Sequence, residues 1–563
     1  MLNYDYLMQE QQFVLRHVAG CETYGLDEDV IRPVLDGVGK LAAKWERINR
    51  VGDEVGARWT SVGVEMPDGF KDAYEAYVEA GWGSLGVSEA FGGQGMPFVL
   101  QTAVLETLGT ANSALALLPT LSLGAMDALV HHGSTEQQQR YLPRLASGEW
   151  TSTMNLTEPQ AGSDVGALRT RATPRSDGKW NIAGQKIFIS YGDHDLAENI
   201  IHLVLARTPD APPGTRGISL FVVPKFRLDE DGQPAERNDV RVVSIEHKMG
   251  LHASPTCVMS FGDEGDCIGE LVGRIGGGMS AMFTMMNSAR LNVGLQGIEI
   301  AEAATQKAVA FALQRIQSAR TGAASRDAVA IVEHPDVRRM LLRMKAQTQA
   351  ARALVYYAAG MVDAAAHGAP DAAARLELLT PLAKAHATDL GMEVASLGIQ
   401  VHGGVGYVEE TGAAQFFRDA RIMPIYEGTN GIQAADLVGR KLSLEQGQVF
   451  QRLVDDMARG AVGEQLQELV GVCRTIGSEL TSAHHDDRLA ASSPFLTMLS
   501  VAVCGWLMER QAQLAGDDAF GRSKKVAARF YVEQIVPEAL GLRAAATASS
   551  DVLYALDSAE LAA

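Results

Sequence analysis

Apolar residues recur at helical spacing over most of the chain and at strand spacing in one part of it. In residues 1–150, Phe70, Tyr74, Tyr77 and Val78 form a short helical face that ends at Gly81-Trp82-Gly83. The stretch from Val104 to Val130 is rich in Ala and Leu, which suits closely packed helices, and Pro119 predicts a break between two of them. Phe91-Gly92-Gly93-Gln94-Gly95-Met96-Pro97 reads as a loop. Across residues 151–285 the period shortens. Trp180 to Ser190 predicts a hairpin-like pair of strands, and Ile200–Ala206, Ile218–Val223 and Val240–Ile245 are further β-branched runs. They imply a compact, barrel-like antiparallel β domain.

Helical spacing returns over residues 286–442. Ala301, Ala304, Ala308 and Ala312 make a small-residue stripe that lets a neighbouring helix approach. Val337, Leu341, Met344, Ala351, Leu354 and Ala358 predict a second long helix with Pro335 in its first turn. Leu382 to Gln400 predicts a third, ended by Gly403-Gly404. After a break near Ser443 to Gly447, residues 443–563 form a last helical block, in which Ser493-Pro494 precedes an apolar face of Phe495, Met498, Leu499, Ala502 and Trp506. The expected fold class is α+β, in four domains: N-terminal helical, middle β, helical bundle and an added C-terminal helical domain.

Charge narrows the partners. The 563 residues hold 49 basic and 68 acidic side chains, a net charge of −19, with no long Lys/Arg run. That disfavours nucleic acid and anionic membranes. The cysteines, Cys21, Cys257, Cys267, Cys473 and Cys504, are scattered without a C-x-x-C pair, which argues against zinc ribbons and a disulfide framework, and no metal site is expected. Met1-Leu2-Asn3-Tyr4-Asp5-Tyr6 lacks the basic start and apolar run of a signal peptide. No apolar stretch is read as approaching the roughly 20 residues that span a bilayer. The expectation is a cytoplasmic protein with no membrane span.

Three stretches offer chemistry. Ile425-Tyr426-Glu427-Gly428-Thr429-Asn430-Gly431 puts a carboxylate between an aromatic ring and a glycine, where burial raises a carboxyl pKa and the glycine admits a substrate to the backbone. Met154-Asn155-Leu156-Thr157-Glu158-Pro159-Gln160-Ala161-Gly162-Ser163-Asp164 presents hydroxyls and free amides of the kind that cofactor carbonyls and phosphates need. Lys186-Ile187-Phe188-Ile189-Ser190 places an aromatic ring and a hydroxyl on one face of a strand. Each has a plain alternative: a solvated loop acid, a turn before a strand, a core Phe with an edge Ser.

Together, in this order and with Gln400-x-x-Gly403-Gly404-x-Gly406-Tyr407 and Arg418-Asp419-Ala420, the stretches resemble the acyl-CoA dehydrogenase family. The resemblance covers about Phe70 to Arg440, and the added C-terminal block is similar to that of a larger bacterial subgroup. It implies an FAD-dependent enzyme that oxidises an acyl-CoA thioester to the trans-2-enoyl-CoA and hands electrons to an electron-transfer flavoprotein. Glu427 is implied as the base that takes the α-proton, and its backbone amide, with a ribityl hydroxyl, as the holder of the thioester carbonyl. Thr157 and Ser190 are implied as hydroxyls bonding the flavin, and Phe188 as the ring beside it. Met154, Leu156 and Gly162 are implied to line the same cofactor, and Ser163 to contact its phosphate region and the substrate. Arg315 is implied to reach the FAD of a partner subunit, Gln400, Gly403 and Gly404 to cradle the pyrophosphate, and Thr429 to lie along it. Arg290, Tyr426 and Gly428 join Glu427 as implied substrate contacts. Ala289, where some relatives place the base, cannot accept a proton. Asn155, Gln415 and the loop after Arg315 depart from the family pattern. The acyl group is left open, straight chain or thioether, as is oxygen as acceptor; a homodimer is the expected assembly, and a silent flavin-binding scaffold is the reading from another class.

Overall fold

The computed structural model describes residues 2–563, apart from the side chain of Asn287. The chain divides into two compact units, residues 36–289 and residues 2–35 with 290–563.

In the first unit, helices Phe70–Glu79, Phe98–Ala111, Ser113–His132 and Thr135–Ser147 precede the sheet. The break predicted at Pro119 falls instead at Asn112. That residue is extended, and its Oδ1 accepts the Leu115 N–H at 3.1 Å to start the next helix, which absorbs Pro119 in its interior at the loss of one backbone hydrogen bond. Contrary to the sequence reading, Ser113–His132 is long and apolar enough to cross a membrane by length and composition; most of it is buried.

The sheet has eight strands. Val240–Ile245, Thr256–Phe261, Trp180–Ser190, Ile268–Val272, Ile218–Pro224, Asn199–Arg207 and Trp150–Asn155 follow one another, and Arg171–Pro174 pairs off this path. Pairing is mostly antiparallel, as expected, but Trp150–Asn155 runs parallel to Asn199–Arg207, in register from Trp150 with Asn199 to Asn155 with Val204. A parallel pair needs a long connection, and the strands at Arg171–Pro174 and Trp180–Ser190 occupy it. The predicted hairpin over Trp180–Ser190 is one continuous strand. Gly184 marks a close approach rather than a turn: a Cβ there would lie 2.8 Å from the Thr170 Cα. Ile201, Leu203 and Leu205 pack in one core with Leu129, Leu142 and Trp150, whereas Val204 and Ala206 pack in another with Ile182, Phe221 and Phe261. Burial on both faces explains why this strand reads as a continuous apolar run.

In the second unit, the principal helices are Tyr4–His17, Gly278–Gln314 from Arg290 onward, Pro335–Ala366, Ala372–His402, Asn430–Gly439, Ser492–Leu514 and Ala519–Phe530. Pro335 stands at the helix start, as expected. The third helix starts at Ala372 rather than Leu382 and carries Pro381 inside. It meets the Gly278–Gln314 helix backbone to backbone: a Cβ on Gly297 would sit 2.3 Å from the Ala387 carbonyl oxygen, and one on Gly391 would sit 2.7 Å from that of Gly297. Gly297→Ala is therefore expected to cost about 1–3 kcal/mol by overpacking, read as a lower denaturation midpoint, whereas Gly439→Ala, whose Cβ meets nothing within 4 Å, stays near wild type. The break before the last block lies at Lys441–Gly447, where Glu445 and Gln446 take positive φ of 48° and 59°.

Four of the buried charges of this unit form one cluster. Lys524 Nζ bonds Glu10 Oε2 at 2.9 Å, Arg352 Nη2 bonds Glu302 Oε2 at 2.7 Å, and Arg352 Nη1 stands 4.0 Å from Glu10 Oε2. Gln349 Nε2 donates to Glu10 Oε1. Helices from both ends of the sequence are joined by this cluster.

Candidate functional site

In the first unit, the Trp150–Asn155 strand delivers Leu156 and Thr157 beside the end of the Trp180–Ser190 strand, where Ile187 N–H donates to the Thr157 carbonyl at 2.9 Å. A buried ion pair fixes this junction. Lys186 Nζ donates to Glu158 Oε1 at 2.8 Å and to the Leu156 carbonyl at 3.0 Å, while Glu158 also accepts from the Thr170 hydroxyl and from the Arg169 and Thr170 amides. Burial raises the Glu158 carboxyl, but Lys186 and these donors outweigh it and hold the pKa down to about 2; burial brings Lys186 down to about 8. A depressed folded pKa stabilises above the unfolded value and loses that contribution as pH falls through the folded one. Between roughly pH 4.5 and 2 the wild type is thus expected to lose thermal stability more steeply than Glu158→Gln, measured as melting temperature against pH.

Phe188 lies in a bulge. Cys257 pairs with Ile189 and Met259 with Lys186, so two residues oppose one, and Phe188 takes φ +60° with its side chain 59% exposed. The regular alternation expected to set Phe188 and Ser190 on one face does not run through it. Thr157 and Ser190 are half-buried, Gly162 and Ser163 exposed, and among the described residues the hydroxyls of Thr157, Ser163 and Ser190 bond no protein group. Met154 and Leu156 are half-buried against the core. Asn155 is buried and donates to the Thr153 hydroxyl at 2.7 Å.

In the second unit, Glu427 sits on a turn that closes where Asn430 N–H donates to the Pro424 carbonyl at 3.0 Å. Tyr426 packs against Val293, Ile300, Ala395, Ala420 and Met423 and donates its hydroxyl to Gln296 Oε1. Thr429 caps the Asn430–Gly439 helix by accepting the Ile432 N–H at 3.2 Å. Between these anchors Glu427 takes φ +55° and Gly428 φ +87°. A non-glycine residue in this region costs about 1–3 kcal/mol and persists only where its surroundings impose it. Arg290 Nε donates to the Glu427 carbonyl at 3.4 Å and Gln433 Nε2 to that of Gly428 at 3.3 Å. Burial raises the Glu427 carboxyl above its ordinary range, while Arg290 and Lys384 pull it back in part. Among the described residues the Glu427 N–H has no partner. One residue thus offers a proton acceptor and a free backbone donor side by side.

Arg315, Gln400, Gly403 and Gly404 are exposed. Gly403 takes φ +65°, and a Cβ on either glycine would meet nothing within 4 Å, so neither is small for packing reasons. Gln415, where a basic residue is usual, is buried and bonds Asp419 in its own helix. Free amides, an Arg and unpaired hydroxyls suit the pyrophosphate, and an exposed ring with hydroxyl donors suits a flavin, so each unit's residues fit FAD. Sequence reasoning gave no role to Glu158, Lys186, Lys384 or Asn430. A Lys inside the apolar run Leu382-Ala383-Lys384-Ala385 was the available signal, since a charge on a buried helix face needs a reason.

A helical, β, helical order with a strained, partly buried carboxylate on one unit and unpaired hydroxyls beside an exposed ring on the other is the arrangement expected of a flavin-dependent dehydrogenase of acyl thioesters. The family descriptions agree: acyl-CoA dehydrogenase N-terminal, middle and C-terminal domains match residues 49–149, 153–263 and 276–442, and an acetyl-CoA dehydrogenase C-terminal-like domain matches 450–557. The chain is 42% identical to 3-methylmercaptopropionyl-CoA dehydrogenase of Ruegeria pomeroyi over 98% of its length and 99% of that protein's. It is 36% identical to a butyryl-CoA dehydrogenase of Syntrophomonas wolfei, covering 89% of each. The butyryl-CoA dehydrogenase structure from Megasphaera elsdenii superposes with a TM-score of 0.60 at 26% identity, covering 74% of this chain and 99% of that one. The chain belongs to the acyl-CoA dehydrogenase family, whose members are FAD-dependent oxidoreductases.

Proposed function

We propose that Glu427 takes the α-proton of a saturated acyl-CoA thioester, giving the trans-2-enoyl-CoA, and that its own N–H bonds the thioester carbonyl as charge builds there. The observation that carries this reading is the conjunction at one residue of a raised carboxyl pKa, a left-handed backbone and an unpaired N–H. Acidity at the α-carbon and acceptance by the carboxylate are matched when the carbonyl is polarised and the carboxyl pKa lifted. Arg290, bonded to the Glu427 carbonyl, fixes the direction of the turn. Thr157, Ser163, Phe188 and Ser190, with Met154, Leu156 and Gly162 near them, would hold the flavin side of FAD; Arg315, Gln400, Gly403, Gly404 and Thr429 would hold its dinucleotide side. When bound, FAD supplies the acceptor for the β-hydride. Tyr426, Gly428 and Ser163 would contact the substrate.

An electron-transfer flavoprotein is the proposed electron acceptor, a homodimer the proposed assembly and the cytoplasm the proposed compartment, the last supported by five buried free thiols. The likeness to enzymes named for 3-methylmercaptopropionyl-CoA and butyryl-CoA supports a short acyl group. Anaerobic titration of the yellow holoenzyme with butyryl-, 3-methylmercaptopropionyl-, octanoyl- and palmitoyl-CoA, followed by flavin absorbance, tests this. Bleaching by the short thioesters is expected. Bleaching only by palmitoyl-CoA would refute the short-chain assignment, and none by any of the four would count against the reaction.

A further inference from the structure

We propose that Lys384 is a positioning residue for Glu427, its ammonium group clamping the turn at both ends so that the carboxylate is presented in one direction. The inference rests on the reading of Glu427 as the base. Lys384 Nζ donates to the Met423 carbonyl at 2.9 Å and to Asn430 Oδ1 at 2.9 Å, the residues that enter and leave the turn. Asn430 is held in return by the same helix: its Nδ2 donates to Asp389 Oδ1 at 2.7 Å, to the Thr388 hydroxyl at 3.0 Å and to the Ala385 carbonyl at 3.1 Å. Arg290 and Gln433 reach single carbonyls within the turn, whereas Lys384 ties its two ends together.

Stability alone gives a poor account of this lysine. Its side chain is fully buried, and among the described residues no carboxylate lies within ion-pair distance, so its charge is desolvated without a direct counterion. Burial brings its pKa down to about 8, and Asp389 and Glu427 only partly offset this. An apolar side chain of similar volume would cost less to bury. A left-handed Glu427 followed by a left-handed Gly428, by contrast, requires surroundings that fix the backbone from outside the turn. Lys384 does this with a group whose charge also favours the ionised base. The charges bearing on the carboxylate are Arg290 and Lys384; Asp389 faces Lys384, and Asp436 and Arg440 face Arg290.

The test compares Lys384→Met, Asn430→Ala, their double variant and Glu427→Gln as FAD-loaded enzymes with a substrate that bleaches the wild type. In Lys384→Met, kcat is expected to fall about tenfold to a hundredfold with KM within about twofold, FAD content and visible spectrum unchanged. The acidic limb of its kcat profile moves to higher pH, because a positive charge that favoured the ionised carboxylate is gone. Asn430→Ala keeps that charge, so kcat falls while the limb stays, and the double variant is little worse than Lys384→Met because both act on one turn. Wild-type kcat and limb in Lys384→Met would overturn the proposal, as would a loss that follows FAD content. If Lys384→Met does not fold, unchanged kcat in Asn430→Ala overturns it and a reduced kcat at constant KM supports it. Turnover retained in Glu427→Gln would instead refute the base itself, whatever Lys384 does.

Discussion

Glu427→Gln is expected to lower kcat by about 10²–10⁴-fold, the range over which a positioned general base acts. The substitution changes one atom's chemistry and little of the geometry. Tyr426 is anchored through Gln296 and its apolar neighbours, Arg290 contacts the Glu427 carbonyl rather than the carboxylate, and Gln433 holds the carbonyl of Gly428. None of these contacts uses the ionised oxygen. FAD binding and thioester affinity should therefore persist while proton removal is lost, which stopped-flow bleaching separates from binding. The pH dependence carries a second signature. A folded pKa raised by burial puts the acidic limb of wild-type kcat above the ordinary carboxylate range. It also means that ionised Glu427 destabilises the fold as pH rises through that value, so Glu427→Gln should melt slightly higher than the wild type at neutral pH. Turnover within a few-fold of wild type would remove Glu427 from the mechanism.

The largest effect on stability is expected at the interior charge cluster. Lys524→Met leaves Glu10 buried with Arg352 Nη1 at 4.0 Å and the neutral Tyr6 hydroxyl and Gln349 amide as close donors. In the intact cluster burial raises the Glu10 carboxyl, but Lys524 and Arg352 bring it below its ordinary value, so Glu10 stays charged. Removing one partner from a buried pair costs about 3–5 kcal/mol, because the other charge is left uncompensated. Chemical denaturation should show a loss of that order for Lys524→Met and a smaller one for Glu10→Leu with Lys524→Met, which removes the charge together with its counterion. Equal losses in the single and double variants would mean that the cluster contributes by packing alone. A helix near the start of the chain and one near its end depend on this contact, so the N-terminal residues 2–35 contribute to the stability of the unit that carries Glu427.

Much of the fold was legible in the sequence because burial leaves a period. Phe70, Tyr74 and Tyr77 are buried on the helix their spacing predicted, and the β-branched runs at Ile200, Ile218 and Val240 are strands. Errors arose where one residue has two local meanings. Pro119 ends a helix in most contexts but is tolerated inside one, and Asn112, well before it in the chain, supplied the cap that decided the boundary. The glycine inside Trp180–Ser190 suggests a hairpin, yet Gly184 stands where a Cβ would collide with Thr170.

The sequence alone determined the order of helical and strand-rich segments and, through Tyr426-Glu427-Gly428 and the motifs before it, which carboxylate and hydroxyls are the candidates for chemistry. Side-chain type and spacing are local properties, and local patterns carry them. Only the tertiary structure decided the parallel pairing of Trp150–Asn155, the bulge that turns Phe188 outward, the Glu158–Lys186 pair and the Lys384 clamp. Each joins groups distant in sequence or depends on a backbone dihedral imposed from outside. Whether a charge is buried, and which partner then fixes its pKa and direction, is a property of the packed interior that no window along the chain contains.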